Sequence, residues 1–380
     1  LGWESRAIAQ VAAVALAAAL TLALLLRTGL LRRDAPPADL EVLLLAANQL
    51  TGPIPSELGN PTNLRTLRLS FNQLSGGIPV QLGNLANLEE LNLSNNQLSG
   101  SIPAELGNLS SLWFLDLWNN QLSGSIPAEL GDLSNLEVLG LGSNQLTGSI
   151  PVELGNLELL RQLWLFENQL SGGIPAALGN LTSLELLELR SNLLSGSIPV
   201  ELGNLSALQQ MNLYSNQLTG AIPAQLGNLS NLLGLGLGAN QLSGSIPAAL
   251  GNLALLEFLE AAPNELGGSL PPELGVLTNL KTLRLSDNQL SGAIPPALGN
   301  LVNLEVLHLQ ANQLGGSIPP ALGNLVNLVE LDLSDNLITG SIPAELGNLN
   351  VYTFSLWDNQ LSGIIPPELG NLSNVERLYL

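Results

Sequence analysis

Apolar positions recur along this chain in a fixed order with a period of 24 residues. Residues 64–87 show one unit. Leu64, Leu67 and Leu69 form an L-x-x-L-x-L run, and Leu67-Arg68-Leu69 alternates as a strand with one buried face does. Copies of this strand in successive units must run the same way. They predict a parallel sheet growing by about 4.8 Å per unit. Leu74 and Ile78 point back toward the core. Gly76 suits a turn where a side chain would crowd the backbone, and Pro79 lacks the N–H that a longer strand would need. Leu82, Gly83 and Leu85 predict a helical turn on the outer wall. One such unit cannot bury its apolar face alone, but stacked copies bury a continuous core. The pattern predicts an α/β solenoid offering a long surface in place of a single deep pocket.

A polar position repeats just as strictly. From Asn48 to Asn336, in steps of 24, stand 13 asparagines. A buried Asn must satisfy two amide donors and a carbonyl. Bonding to the backbone of neighbouring turns would do so and would fix the register, so these side chains are structural. Two places break the rhythm. Around Asn264 the unit reads Ala261-Ala262-Pro263-Asn264, with Leu270 for the usual Ile and Val276 for the usual Asn. Asn336 and Asn359 are one residue short of a full period. Local weakening is expected at the first and a small kink at the second. Leu378-Tyr379-Leu380 stops inside a strand motif, and solenoids normally carry polar caps. The repeat domain, residues 40–380, is therefore expected to be truncated at its C-terminal end.

These units resemble leucine-rich repeats of the plant type, L-x-x-L-x-L-x-x-N-x-L-x-G-x-I-P-x-x-L-G-x-L, over residues 40–380. That family includes receptor-like kinase ectodomains, receptor-like proteins and polygalacturonase-inhibiting proteins. The resemblance implies a right-handed superhelix with a concave parallel sheet that binds peptides, proteins or glycans. It does not imply which. The chain departs from plant ectodomains in lacking paired-cysteine caps, since it has no Cys, and the near-identical units also suit bacterial or algal relatives. No glycine-rich phosphate loop, H-R-D or D-F-G motif of a kinase is present.

Charge and the N-terminal segment add the setting. Residues 1–39 carry four Arg against Glu4, Asp34 and Asp39, whereas the rest carries 28 acidic and seven basic residues. A body this acidic repels phosphate backbones, so nucleic acid is not an expected partner. Residues 7–26 are apolar except for Gln10 and Thr21, long enough to cross a bilayer. A membrane anchor is preferred to a secretion signal or a buried cap helix. Residues 1–6 read as an incomplete flank and 27–39 as a linker. Arg27, Arg32 and Arg33 after the apolar run would put the repeats in the cytoplasm. The incomplete flank leaves that count open, and the receptor resemblance favours repeats outside the cell.

Candidate contact residues flank the two strand leucines on the concave face. They are Phe114, Asp116 and Trp118 in one unit, Trp164 and Phe166 two units on, then Glu188 with Arg190, and Tyr214. Trp118, Phe166 and Tyr214 share one column. Exposed aromatics with a few charges are common in binding hot spots and suit stacking on sugar rings. The same face is bland at Gly234, Gly236 and Gly238. Arg68, and Arg284 with Lys281, read as isolated basic spots, and His308 as simply exposed. Glu57, Glu105, Glu129, Glu153, Glu201, Glu273, Glu345 and Glu368 form a solvated stripe on the outer wall. With no Cys and one His, no Ser-His-Asp or Cys-His arrangement is expected, and there is no cysteine metal site. No cofactor, metal or enzymatic activity is expected. Ice binding is disfavoured because Thr rows are sparse. Six N-glycosylation sequons start at Asn92, Asn108, Asn180, Asn204, Asn228 and Asn371.

Overall fold

The computed structural model describes residues 40–380. The candidate membrane helix at 7–26, its flank and the linker lie outside the described residues. Among the described residues, no helix is long and apolar enough to cross a membrane. The described chain divides after Leu184 into two compact units.

Each repeat contributes the same three pieces. The first is a three-residue strand. In the first unit, strands Val42–Leu44, Thr66–Arg68, Glu90–Asn92, Phe114–Asp116, Val138–Gly140 and Gln162–Trp164 pair in parallel, with Leu43, Leu67, Leu91, Leu115, Leu139 and Leu163 in one register line. In the second unit, nine strands from Leu186–Glu188 to Arg377–Tyr379 pair in the same way. The second piece is a shorter extended strand such as Gln97–Gly100, which builds a second parallel ladder. The third piece starts at proline: Pro79 is extended (φ −66°, ψ 130°), and Val80–Asn84 follows as a 3-10 helix. The outer helical turn expected from the sequence is thus present. Every helix among the described residues is of this tight 3-10 form, none α.

The apolar pattern explains the packing. Leu64, Leu67, Leu69, Leu74, Ile78, Leu82 and Leu85 are all buried, and the same positions are buried in the following repeats up to Leu325, whereas Ile365, Leu378 and Leu380 in the last repeats are exposed. Removing one such side chain from water contributes about 1.5–3 kcal/mol. The asparagine ladder is formed as expected. Asn72 Nδ2 donates to Leu45 O and Leu69 O, both at 2.9 Å, while its Oδ1 accepts from Leu50 N at 3.0 Å. Within each unit, ladder residues such as Asn72 and Asn216 therefore tie their own turn to the preceding repeat.

Both breaks in rhythm are accommodated. Pro263 stands where other repeats hold a residue with positive φ, such as Ala239 and Asp287, both at 52°. Its ring forbids that conformation, and the Ala262–Pro263 bond is cis. Asn240 N lies 3.4 Å from Pro263 O, against 3.1 Å from Asn216 N to Ala239 O, so the ladder lengthens at this repeat. The missing residue before Asn359 is absorbed at Leu349, which is extended (ψ 157°) where Leu325 has ψ 62°. The first-strand pairing continues there as Leu331 opposite Phe354. The second ladder crosses this break too, Thr339–Gly340 pairing with Gln360–Leu361, and thins one repeat earlier, where only the Ser317–Thr339 bridge joins this pair to the repeat of Gln313–Gly315.

Candidate functional site

In the first unit the candidate residues are gathered on the exposed face of the first sheet, but not as free aromatics. Phe114 packs edge-on against Trp113, ring centroids 5.5 Å apart. Trp118 is half-buried; its indole Nε1 donates to Ser143 Oγ at 3.2 Å, and Ser143 Oγ in turn donates to Glu167 Oε2 at 2.7 Å. Trp164 and Phe166 are half-buried as well. They lean over the preceding repeat, where two glycines leave room. A Cβ at Gly140 would lie 3.2 Å from the Trp164 ring, and one at Gly142 would lie 2.8 Å from the Phe166 ring.

Asp116 does not serve as a surface charge. It is buried, and its Oδ1 accepts from Trp118 N at 3.0 Å, so it shapes the strand exit and offers little to a ligand. Burial pushes its carboxyl above the ordinary value, partly offset by hydrogen bonds from Trp118 N–H and Ser94. A raised folded-state value means that the folded chain holds the proton more tightly than the unfolded one. Stability then falls as pH rises from the ordinary carboxylate range through the raised value. Asn92 and Asn212 make the same strand-exit bond to Ser94 N and Tyr214 N, so an amide fits this position. Asp116→Asn is expected to match the parent at low pH and to gain on it across that window. Denaturant unfolding over a pH series tests this, and a pH-independent difference would refute it.

In the second unit the structure corrects the reading of Gly234, Gly236 and Gly238 as bland. Gly234 and Gly236 form the floor of an open cleft of about 400 Å³. Glu188, Arg190 and Tyr214 border it on one side, Phe258 and Glu260 on the other. Gln210 and Asn212 of the preceding repeat lean into the room the glycines leave: a Cβ at Gly234 would lie 2.1 Å from Gln210 Oε1, and one at Gly236 2.9 Å from Asn212 Oδ1. Phe258 and Glu260 were missed because each looks like an ordinary variable strand position. The available signal was their register opposite the two glycines, Gly234 with Phe258 and Gly236 with Glu260.

The electrostatics of the cleft are balanced. Glu188 Oε2 lies 3.5 Å from Arg190 Nε, an ion-pair separation, yet this buried oxygen accepts no hydrogen bond. Its other oxygen receives only a long 3.4 Å contact from Asn212 Nδ2. Burial pushes the Glu188 carboxyl up, while Asn212 and Arg190 pull it down. Glu260 pairs with Arg284. Tyr214 is exposed and reaches over Gly238, where a Cβ would lie 3.1 Å from its ring.

The basic spots are not isolated. Arg68 makes a two-pronged contact with Glu90, with Nη2 2.8 Å from Oε2, and Lys281 Nζ lies 2.7 Å from Glu257 Oε2. His308 is not merely exposed either: its Nε2 is 2.9 Å from Glu330 Oε2 on the next strand. The sequence shows these as single charges because each partner sits one repeat away. The acidic stripe is exposed from Glu105 onward, with Glu57 half-buried. Asn108, Asn180, Asn204, Asn228 and Asn371 are exposed at the ends of outer turns, whereas Asn92 sits on a first strand with Oδ1 engaged by Ser94.

Comparison with known proteins agrees with this architecture. The leucine-rich repeat region family model matches residues 62–193, and the two-copy leucine-rich repeats model matches 278–320 and 302–350. The single leucine-rich repeat model matches 39–61, 183–205, 207–229 and 350–372. No curated protein matches in sequence. Among solved structures, the chain is 41% identical to the plant peptide hormone receptor RGFR1 in complex with RGF2 (TM-score 0.80), covering 89% of this chain and 58% of that one. It is 36% identical to the Arabidopsis receptor kinase HAESA in complex with the peptide hormone IDA and the co-receptor SERK1 (TM-score 0.73), covering 90% and 66%. A leucine-rich repeat protein of Leptospira interrogans is 34% identical (TM-score 0.72), covering 90% and 84%. The chain thus spans less than two thirds of receptors such as RGFR1 and the TDR receptor, at 58% and 59% of their lengths. Repeat pattern, parallel ladders and relatives agree: the chain belongs to the leucine-rich repeat family, with repeats of the plant type.

Proposed function

We propose that this chain is a non-enzymatic recognition scaffold that binds a protein, peptide or glycan on the exposed face of its first strands. The observation that carries this reading is the glycine-floored cleft of about 400 Å³, within the ~300–1,000 Å³ of small-ligand sites. It interrupts a face otherwise filled by side chains. In the first unit Phe114, Trp118, Trp164 and Phe166 supply a half-exposed aromatic patch. In the second unit Glu188, Arg190 and Tyr214 border the cleft. The asparagine ladder holds both faces rigid, so little ordering is lost on binding.

A second reading is favoured by the relatives: the chain is the sensor part of a larger receptor. The plant structures are receptor ectodomains, two of them solved with peptide hormones. Residues 7–26 would then be a membrane anchor with the repeats outside the cell. Protease treatment of intact cells expressing the full gene tests this. Digestion of the repeats is expected, and digestion only after lysis would sink the receptor reading.

Recognition itself is tested by panning a displayed random peptide library and a neutral oligosaccharide panel on the full chain. Binders are expected. The pair Trp118→Ala with Phe166→Ala, or Tyr214→Ala alone, should weaken them by at least about tenfold. If nothing binds, or binders ignore both sets of changes, the reading fails.

A further inference from the structure

We propose that the cleft of the second unit is a saccharide subsite, taking a neutral sugar ring over Gly234 and Gly236 between Tyr214 and Phe258. This rests on the recognition reading above and names the ligand class for one part of it.

The first ground is the floor. The Gly234–Gly236 strand pairs on both sides, Met211 with Leu235 and Leu235 with Leu259, and Gly234 N donates to Gln209 O at 3.1 Å. The strand's own hydrogen bonds are thus made within the sheet, and no sheet edge is open here for a peptide main chain to extend. What a ring would meet above this strand is the pair of side-chain amides that lean over it, Gln210 over Gly234 and Asn212 over Gly236.

The second ground is the wall chemistry. Tyr214 and Phe258 belong to the repeats before and after the glycine strand, and each is 41% exposed. Large rings left this open have apolar area to cover, and sugar C–H faces cover aromatic rings without needing a charge. Around them stand acceptors and donors together: Glu188, Arg190, Gln210, Asn212 and Glu260. Glu188 and Glu260 each have an arginine partner, Arg190 and Arg284, so the local charge sums to zero despite the net −20 of the chain. A balanced site does not select an ion. It suits hydroxyl groups, which donate and accept at once.

The third ground is an unmet hydrogen bond. Glu188 Oε2 borders the cleft, is buried, and accepts nothing. A buried acceptor without a donor costs about 1–3 kcal/mol, more when charged. A sugar hydroxyl would supply the donor.

The experiment is a printed panel of neutral gluco-, manno-, xylo- and galacto-oligosaccharides, with acidic oligogalacturonates and a displayed peptide library beside it, probed with the full chain. At least one neutral oligosaccharide should bind. Phe258→Ala and Glu188→Ala should each weaken it by about tenfold or more. Val152→Ala, on an exposed outer turn of the first unit, should leave it unchanged. Phe258 is exposed, so its truncation leaves the core intact, and unchanged circular dichroism checks this. Three results would overturn the proposal: no neutral saccharide bound, preference for the acidic ones, or binding indifferent to Phe258 and Glu188. If peptides bind while saccharides do not, the recognition reading stands and this one falls. If neither binds, both fall.

Discussion

Asn216→Ala is expected to lower the stability of the second unit by about 3 kcal/mol, more than most single changes on its surface. Asn216 Oδ1 accepts from Leu194 N at 3.0 Å, and its Nδ2 donates to Leu189 O and Leu213 O, both at 3.1 Å. All these groups are buried. Truncation leaves the Leu194 N–H without a partner, at about 1–3 kcal/mol, and removes two bonds of about 1 kcal/mol each. Alanine also lacks the volume to keep water from entering. The repeats form a one-dimensional array, so the damage should spread to nearest neighbours and fade. Amide hydrogen exchange reads this directly: protection should fall first around Leu194 and Leu218. Unchanged exchange there would mean that the ladder is dispensable, and the structural account of these asparagines would be wrong.

Gly83→Ala is expected to cost at least as much, about 3 kcal/mol, at the upper end for overpacking. A Cβ at Gly83 would lie 2.3 Å from Glu105 O and 2.7 Å from Glu105 C. These are backbone atoms of the next outer turn, so no rotamer change relieves the clash. The same close approach recurs within each unit, at Gly59 to Gln81 and at Gly227 to Ala249. Gly100 is the internal control. It has φ +78° with nothing within 4 Å of a new Cβ, so alanine there meets only the left-handed backbone penalty of about 1–2 kcal/mol. Denaturant unfolding of both variants should rank Gly83→Ala clearly below Gly100→Ala. Equal losses would mean that the outer turns slide apart freely.

These two predictions also mark what could be read without a structure. The Asn role followed from periodicity and the demand that a buried amide be satisfied, and Asn72 makes the bonds expected of it. The outer glycines were read only as part of a helical turn. Nothing in a single unit reveals that the next turn's carbonyl approaches within 2.3 Å of where a side chain would begin. The candidate face divides in the same way. Strand alternation selected Phe114, Trp164 and Glu188 as outward positions, and they line the exposed face. Alternation could not tell that Asp116 folds back to cap Trp118 N. Nor could it show that Arg68 and Lys281 are paired with, and His308 contacted by, carboxylates one repeat away.

Sequence alone determined the repeat, its parallel strands, its core leucines and the asparagine ladder. All of these follow from a period that forces identical environments at equivalent positions, so each unit reports on its neighbours. Tertiary structure decided what depends on differences between adjacent units. At Gly234 and Gly236 the sequence offers only missing side chains. Depth arises because Tyr214 stands in the repeat before and Phe258 in the repeat after, and only stacking sets their side chains beside that gap. The physical reason is that a strand's alternation specifies which way a residue faces, whereas the shape of a surface is set by what its cross-strand neighbours fail to fill.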